Sequence, residues 1–100
     1  MIAKMYNYNT WIKYETEEKF IKEMEQLIIK SGFTIVGYKE HFFEKQGYTG
    51  VWLLAESHLA VHTFPEENKT YIELTSCVKS YFDNLIELIN INYKKIEENK

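Results

Sequence analysis

The chain has 100 residues, of which 45% are hydrophobic and 16% aromatic, and a formal net charge of −3. That apolar content excludes disorder, and the length allows one domain, 1–100, with no Pro-, Gly- or Ser-rich linker where a second would begin. Lysines scattered under a net negative charge leave no basic stripe for phosphates, so nucleic acid is not an expected partner.

Met1-Ile2-Ala3-Lys4-Met5-Tyr6 lacks the apolar core and small-residue cleavage site of a signal peptide, and no apolar run approaches transmembrane length. A cytoplasmic protein with no membrane attachment is expected. The single cysteine, Cys77, has no intramolecular disulfide partner, which suits a reducing compartment.

Residues 2 to 12, rich in Tyr, Ile and Trp, read as a first strand. Thr16 or Thr10 is placed to cap the next segment, and Glu17-Glu18 load its first turn with the charge a helix N-terminus prefers. A helix is expected from about Glu17 to Ser31, with Phe20, Met24, Leu27 and Ile28 at helical spacing and Gly32 as its stop. Phe33 to Phe43 then alternates as a strand with a bend at Gly37, and residues 44 to 50 read as a loop. Val51–Ala55 and His58–Thr63 are two apolar stretches joined at Glu56-Ser57, followed by a turn over 65–69. In the next strand, Thr70 to Cys77, alternation sets Ile72 and Leu74 on one face and Tyr71, Glu73, Thr75 and Cys77 on the other. A second helix from about Lys79 to Ile89 and a short strand over 92–97 complete the expected order, β-α-β-β-β-α-β. This is an α+β two-layer sandwich with both helices on one face of a mainly antiparallel sheet. The other sheet face is left for solvent or for a second copy, so a homodimer is expected.

Chemistry-bearing residues concentrate in Ala55-Glu56-Ser57-His58-Leu59-Ala60-Val61-His62-Thr63-Phe64-Pro65-Glu66, with Cys77 further on. A serine, histidines and a thiol on neighbouring strands would suit nucleophilic chemistry, yet there is no Gly-x-Ser-x-Gly elbow for a hydrolase. A metal held by His58, His62 and Cys77, with Glu56, Glu66 or water as fourth ligand, is disfavoured. The two histidines are four apart, about 13 Å by strand rise. No metal is expected.

Gly47-Tyr48-Thr49-Gly50, Glu56-Ser57-His58, His62-Thr63-Phe64-Pro65-Glu66 and Thr75-Ser76-Cys77 closely resemble the motifs of the prokaryotic S-adenosylmethionine decarboxylases, without a gap from Phe43 to Cys77. The resemblance implies a proenzyme that cleaves itself between Glu56 and Ser57 into chains 1–56 and 57–100. Ser57 would become a covalent pyruvoyl cofactor, whose Schiff base with the substrate amine accepts the electrons released with carbon dioxide. It further implies that Glu56, Ser57, His62 and Thr49 serve cleavage, and that Ser57, His62 and Cys77 are catalytic, with Cys77 the proton donor. Phe43 and Phe64 would stack on adenine and Glu66 would hold ribose hydroxyls. Its implied product is the aminopropyl donor of spermidine synthesis, and its implied assembly a dimer of four layers, α/β/β/α.

Several residues depart from the family pattern. Phe64 stands for the usual tryptophan, Glu73 for aspartate and Val78 for glycine, and the usual C-terminal Arg-Gly is missing. These changes leave open a pyruvoyl-dependent decarboxylase of ornithine or arginine, or an unprocessed binding or regulatory relative. Ser57 and His62 are an odd number apart and would face opposite ways in a regular strand. If both serve one cleavage, the chain is expected to turn or bulge near Ser57 and to carry backbone strain there.

Overall fold

A computed structural model describes residues 2–97. In chain order they form β1 (Tyr6–Lys13), α1 (Glu17–Lys30), β2 (Ile35–Phe42), β3 (Tyr48–Leu54), β4 (Ser57–Phe64), β5 (Lys69–Ser76) and α2 (Lys79–Asn92), with a 3-10 turn at Pro65–Glu67. The strands make one antiparallel sheet in the order β1-β5-β4-β3-β2.

Alternation of side chains divides the sheet into two unlike faces. Leu59, Val61, Ile72 and Leu74 are fully buried, as is Trp52, while their neighbours on the same strands are not. This buried face meets Phe20, Met24, Leu27 and Ile28 of α1 and Phe82, Leu85 and Ile89 of α2. Each such side chain contributes roughly 1.5–3 kcal/mol relative to remaining in water. The core thus lies between the sheet and both helices, and among the described residues no helix covers the other face.

The α+β two-layer class follows the periodicity, but the element order differs in two places. Four strands, not three, separate the helices, because Ala55-Glu56 is a two-residue hairpin turn that makes β3 and β4 distinct strands. At the far end α2 continues to Asn92, and the segment over 92–97 is not a strand. It contributes one antiparallel bridge, Ile12 to Lys95, beside hydrogen bonds from Lys13 N to Lys94 O and from Ile96 N to Trp11 O. Those bonds use backbone groups on the outer edge of β1, an edge that would otherwise stay unpaired.

Local signals fall close to their expected places. The pairing of β2 with β3 shifts register between Ile35 and Gly37, the bend read at Gly37. Gly32 ends α1 at φ +113°, in the region where a side chain is strained. Thr16 makes no side-chain capping bond to α1. Glu17 in the first turn instead accepts from Tyr14 Oη at 2.5 Å and from Thr63 Oγ1 at 3.1 Å, tying α1 to β4.

Candidate active site

The residues singled out in the sequence collect at two ends of the sheet. At the first end, Ala55-Glu56 turns the chain from β3 into β4, and Glu56 sits at φ +59°. A non-glycine residue there is uncommon, and the strain falls on the residue that precedes Ser57. Ser57 is the first residue of β4, paired with Leu54 on one side and Ser76 on the other. Ser57 is 8% exposed, and its hydroxyl donates to Ser76 Oγ at 2.8 Å. Ser76 Oγ in turn accepts from Val78 N at 2.9 Å.

Cys77 leaves β5 immediately after Ser76, and its thiol donates toward two oxygens of Glu56. The side-chain Oε1 lies 3.3 Å away and the backbone carbonyl 3.5 Å. The hydrogen bond to Glu56, some loss of hydration and the adjacent negative charge all raise the thiol pKa above its ordinary value. A cleft of about 890 Å³ opens here, lined by Met5, Tyr6, Glu56, Cys77 and Lys79 among others.

The second end holds the other group. His62 Nδ1 and Thr49 Oγ1 lie 2.8 Å apart on the open face, across the β3–β4 ladder. One transverse row crosses all five strands there: Trp11, Tyr71, His62, Thr49, His41. Tyr71 stacks on His62 with centroids 6.2 Å apart, and Trp11 contacts both Tyr71 at 5.1 Å and Phe64 at 5.7 Å. Lys69 Nζ lies 4.3 Å from the Trp11 ring centroid. Phe64 ends β4, and Glu66 follows in the exposed 3-10 turn. Phe43, 52% exposed and edge-on to His41 at 4.8 Å, donates its backbone N–H to Gly47 O beside the start of β3.

Ser57 and His62 do face opposite ways, as parity requires, but β4 contains no bulge that would bring them together. Its register with β5 is unbroken from Ser57 to Phe64. The strain lies one residue earlier, at Glu56, because a two-residue hairpin turn forces an unusual backbone conformation there while the ladder keeps Ser57 regular. Along β4, His62 is about 17 Å and Phe64 about 23 Å from Ser57. Within one chain, therefore, Glu56, Ser57 and Cys77 form one cluster, and Phe43, Thr49, His62, Phe64 and Glu66 form another.

Sequence reasoning gave no role to Ser76, the hydrogen-bond partner of Ser57. Its even parity on β5, opposite that of Cys77, is the signal that places it on Ser57's face. Tyr71 was likewise placed on the open face without its stack on His62. Among the described residues, no three His, Cys, Asp or Glu side chains group as a metal site, and no helix is long and apolar enough to cross a membrane.

Comparison with known proteins agrees with these motifs. The chain is 30% identical over 86 residues to an S-adenosylmethionine decarboxylase proenzyme of Clostridium botulinum (strain Loch Maree / Type A3), covering 83% of this chain and 74% of the relative. It is 43% identical over 60 residues to the proenzyme of Symbiobacterium thermophilum, covering 59% of this chain and 46% of the relative. A 48-residue match to the Prochlorococcus marinus (strain MIT 9313) proenzyme, at 44% identity, takes in 48% of this chain and 38% of that one. The chain thus spans less than half of the length of two of the curated relatives it matches. The fold is that of the adenosylmethionine decarboxylase crystal structure from Aquifex aeolicus VF5, with a TM-score of 0.69 at 20% identity over 98% of this chain and 97% of that one. The family model described as S-adenosylmethionine decarboxylase matches residues 2–97, and the chain belongs to that family.

Proposed function

We propose that the chain is a proenzyme that cleaves itself between Glu56 and Ser57 and then decarboxylates S-adenosylmethionine, yielding the aminopropyl donor for spermidine synthesis. The observation that carries this reading is the Glu56-Ser57 peptide itself: a left-handed Glu56 at a hairpin tip, followed by a serine, with the only thiol of the chain 3.5 Å from the Glu56 carbonyl oxygen. Cleavage begins as Ser57 Oγ attacks the Glu56 carbonyl carbon, turning the amide into an ester and freeing the Ser57 amine. Loss of the Ser57 Cα proton with rupture of the Cβ–O bond releases Glu56 as a carboxylate. One water then replaces the nitrogen, which leaves as ammonia, and the new terminus of 57–100 is a pyruvoyl group.

The residues at that terminus fit such a group. The Ser76 hydroxyl lies within hydrogen-bond reach of the Ser57 side chain, Cys77 borders the scissile carbonyl, and the cleft opens onto Glu56 and Cys77. The pyruvoyl carbonyl supplies the electron sink for decarboxylation. In this scheme the Cys77 thiol holds a proton at neutral pH and gives it to the carbon that has lost carbon dioxide. Phe43 and Phe64 stack on the nucleobase, Glu66 accepts from ribose hydroxyls, and Thr49 with His62 moves protons during cleavage.

A distance of about 23 Å along β4 separates Phe64 from Ser57. An adenosyl group joined through one sulfur to an amino-acid arm is too short to occupy both in one chain. We therefore read the active site as shared within a homodimer whose open sheet faces meet. A two-fold axis running across the strands reverses one sheet end for end, bringing Phe43, Thr49, His62, Phe64 and Glu66 of one copy toward Ser57 and Cys77 of the other.

Intact mass under denaturing conditions tests cleavage. The 12.0 kDa chain should yield fragments of about 7 and 5 kDa, in proportion to residues 1–56 and 57–100, the smaller lighter by one ammonia than a serine-ended chain. A single uncut chain would favour a binding or regulatory relative. Carbon dioxide release from labelled S-adenosylmethionine, set against ornithine and arginine, tests the substrate. For the shared site, Ser57→Ala and Glu66→Ala chains, each inactive alone, should regain activity when co-expressed, since one of the two sites in the mixed dimer is then complete. No recovery would mean that each site lies within one chain.

A further inference from the structure

Cleavage breaks and forms bonds at the main-chain carbonyl of Glu56, while its side-chain carboxylate lies against the Cys77 thiol. Oε1 of Glu56 accepts from Cys77 Sγ at 3.3 Å, and the Glu56 carbonyl oxygen lies 3.5 Å from the same sulfur. Both residues line the cleft, and cleavage between Glu56 and Ser57 would make Glu56 the last residue of the first chain. We propose that Glu56 acts a second time, as the positioning residue that holds the Cys77 thiol protonated and aimed during turnover. This rests on the reading of Cys77 as proton donor.

The groups around the thiol leave that task to Glu56. From the segment before β1 come Lys4 and Met5, from β1 Tyr6, and from the start of α2 Lys79 and Ser80. The nearest of these cations along the chain, Lys79, bonds both carboxylate oxygens of Asp83 at 2.7 Å, which offsets its pull toward the thiolate. Glu56 is the carboxylate in hydrogen-bond contact with the sulfur. When Sγ passes its proton to the substrate carbon, the thiolate is left against a negative charge and recaptures a proton from solvent. A carboxylate at this position thus returns the donor to its working state after each turnover.

Cys77 is the only cysteine in the sequence, so alkylation by iodoacetamide reports on this thiol alone. In the uncleaved background, Ser57→Ala/Glu56→Gln should react several-fold faster than Ser57→Ala at about pH 8, with its alkylation midpoint moved to lower pH. Glu56→Asp in the same background should fall between them. The cleaved Glu56→Gln enzyme, purified as its two chains, should show the same shift relative to cleaved wild type, and the alkaline limb of kcat should move to lower pH with it. Identical alkylation profiles with Glu and Gln would overturn the pairing, and a difference confined to the uncleaved background would overturn its role in turnover. If alkylation shifts as expected while Cys77→Ala decarboxylates at full rate, the pairing stands and the proton-donor reading fails instead.

Discussion

Three of the side chains that matter most carry their assignments in local sequence. Glu56, Ser57 and Cys77 stood out as residue types, and parity alone set Ser57 and His62 on opposite faces, which the regular β4 ladder reproduces. Ser76 was not legible in this way. A serine on a strand is ordinary, and only its register partner, Ser57, gives it a role. Ser76→Ala removes the acceptor of the Ser57 hydroxyl, so cleavage followed by mass over time should slow without stopping; unchanged kinetics would show that this hydrogen bond does not orient the nucleophile. Ser57→Ala should stay uncut altogether. Cys77→Ala should cut normally and lose most decarboxylation, measured as carbon dioxide released per cleaved chain, and turnover at the wild-type rate would remove the thiol from the mechanism.

Among the elements, helices and strands followed periodicity, while their ends followed tertiary partners. Gly32 is the clearest stop. It sits at φ +113°, and a Cβ there would meet the Tyr81 ring at 2.6 Å, so Gly32→Ala should lower the urea unfolding free energy by about 1–3 kcal/mol. No loss would mean that both the turn and the ring can relax. The short strand read over 92–97 failed because α2 kept its hydrogen bonds through Asn92, leaving the chain behind it room for only one bridge to β1. Burial above all raises the phenol pKa values of Tyr48 on β3 and of Tyr93, which follows α2 and packs against α1, with Glu23 adding to the second. A folded-state pKa above the unfolded one gives stability that is complete below about pH 10, the ordinary tyrosine value, and lost as pH rises from there through the folded values. Melting temperature should therefore begin to fall above about pH 10. Tyr93→Phe, which keeps the ring against Phe20, should soften that fall, and an equally steep fall would place the titration elsewhere.

At the scale of the whole molecule, the uncovered sheet face is the main consequence of the fold. It presents Trp11, Tyr71, Phe64 and Val51, and Leu53 lies 52% exposed in its midst, an apolar patch of the kind that a second copy buries. Light scattering should give about 24 kDa, twice the 12.0 kDa of one chain. Leu53→Lys should shift the protein toward monomer and lower activity together; a dimer indifferent to that charge would place the contact elsewhere. By itself the sequence determined the helix and strand periods, the two-faced sheet and the residue types around Glu56-Ser57, because these depend on side-chain spacing within one element. The tertiary structure alone decided that the candidate residues divide between two ends of the sheet, that Ser76 meets Ser57, and that Glu56 takes the strained turn while its carboxylate reaches Cys77. Those outcomes depend on strand register and chain reversal, which bring Ser76 to Ser57 across 19 positions and Cys77 to Glu56 across 21.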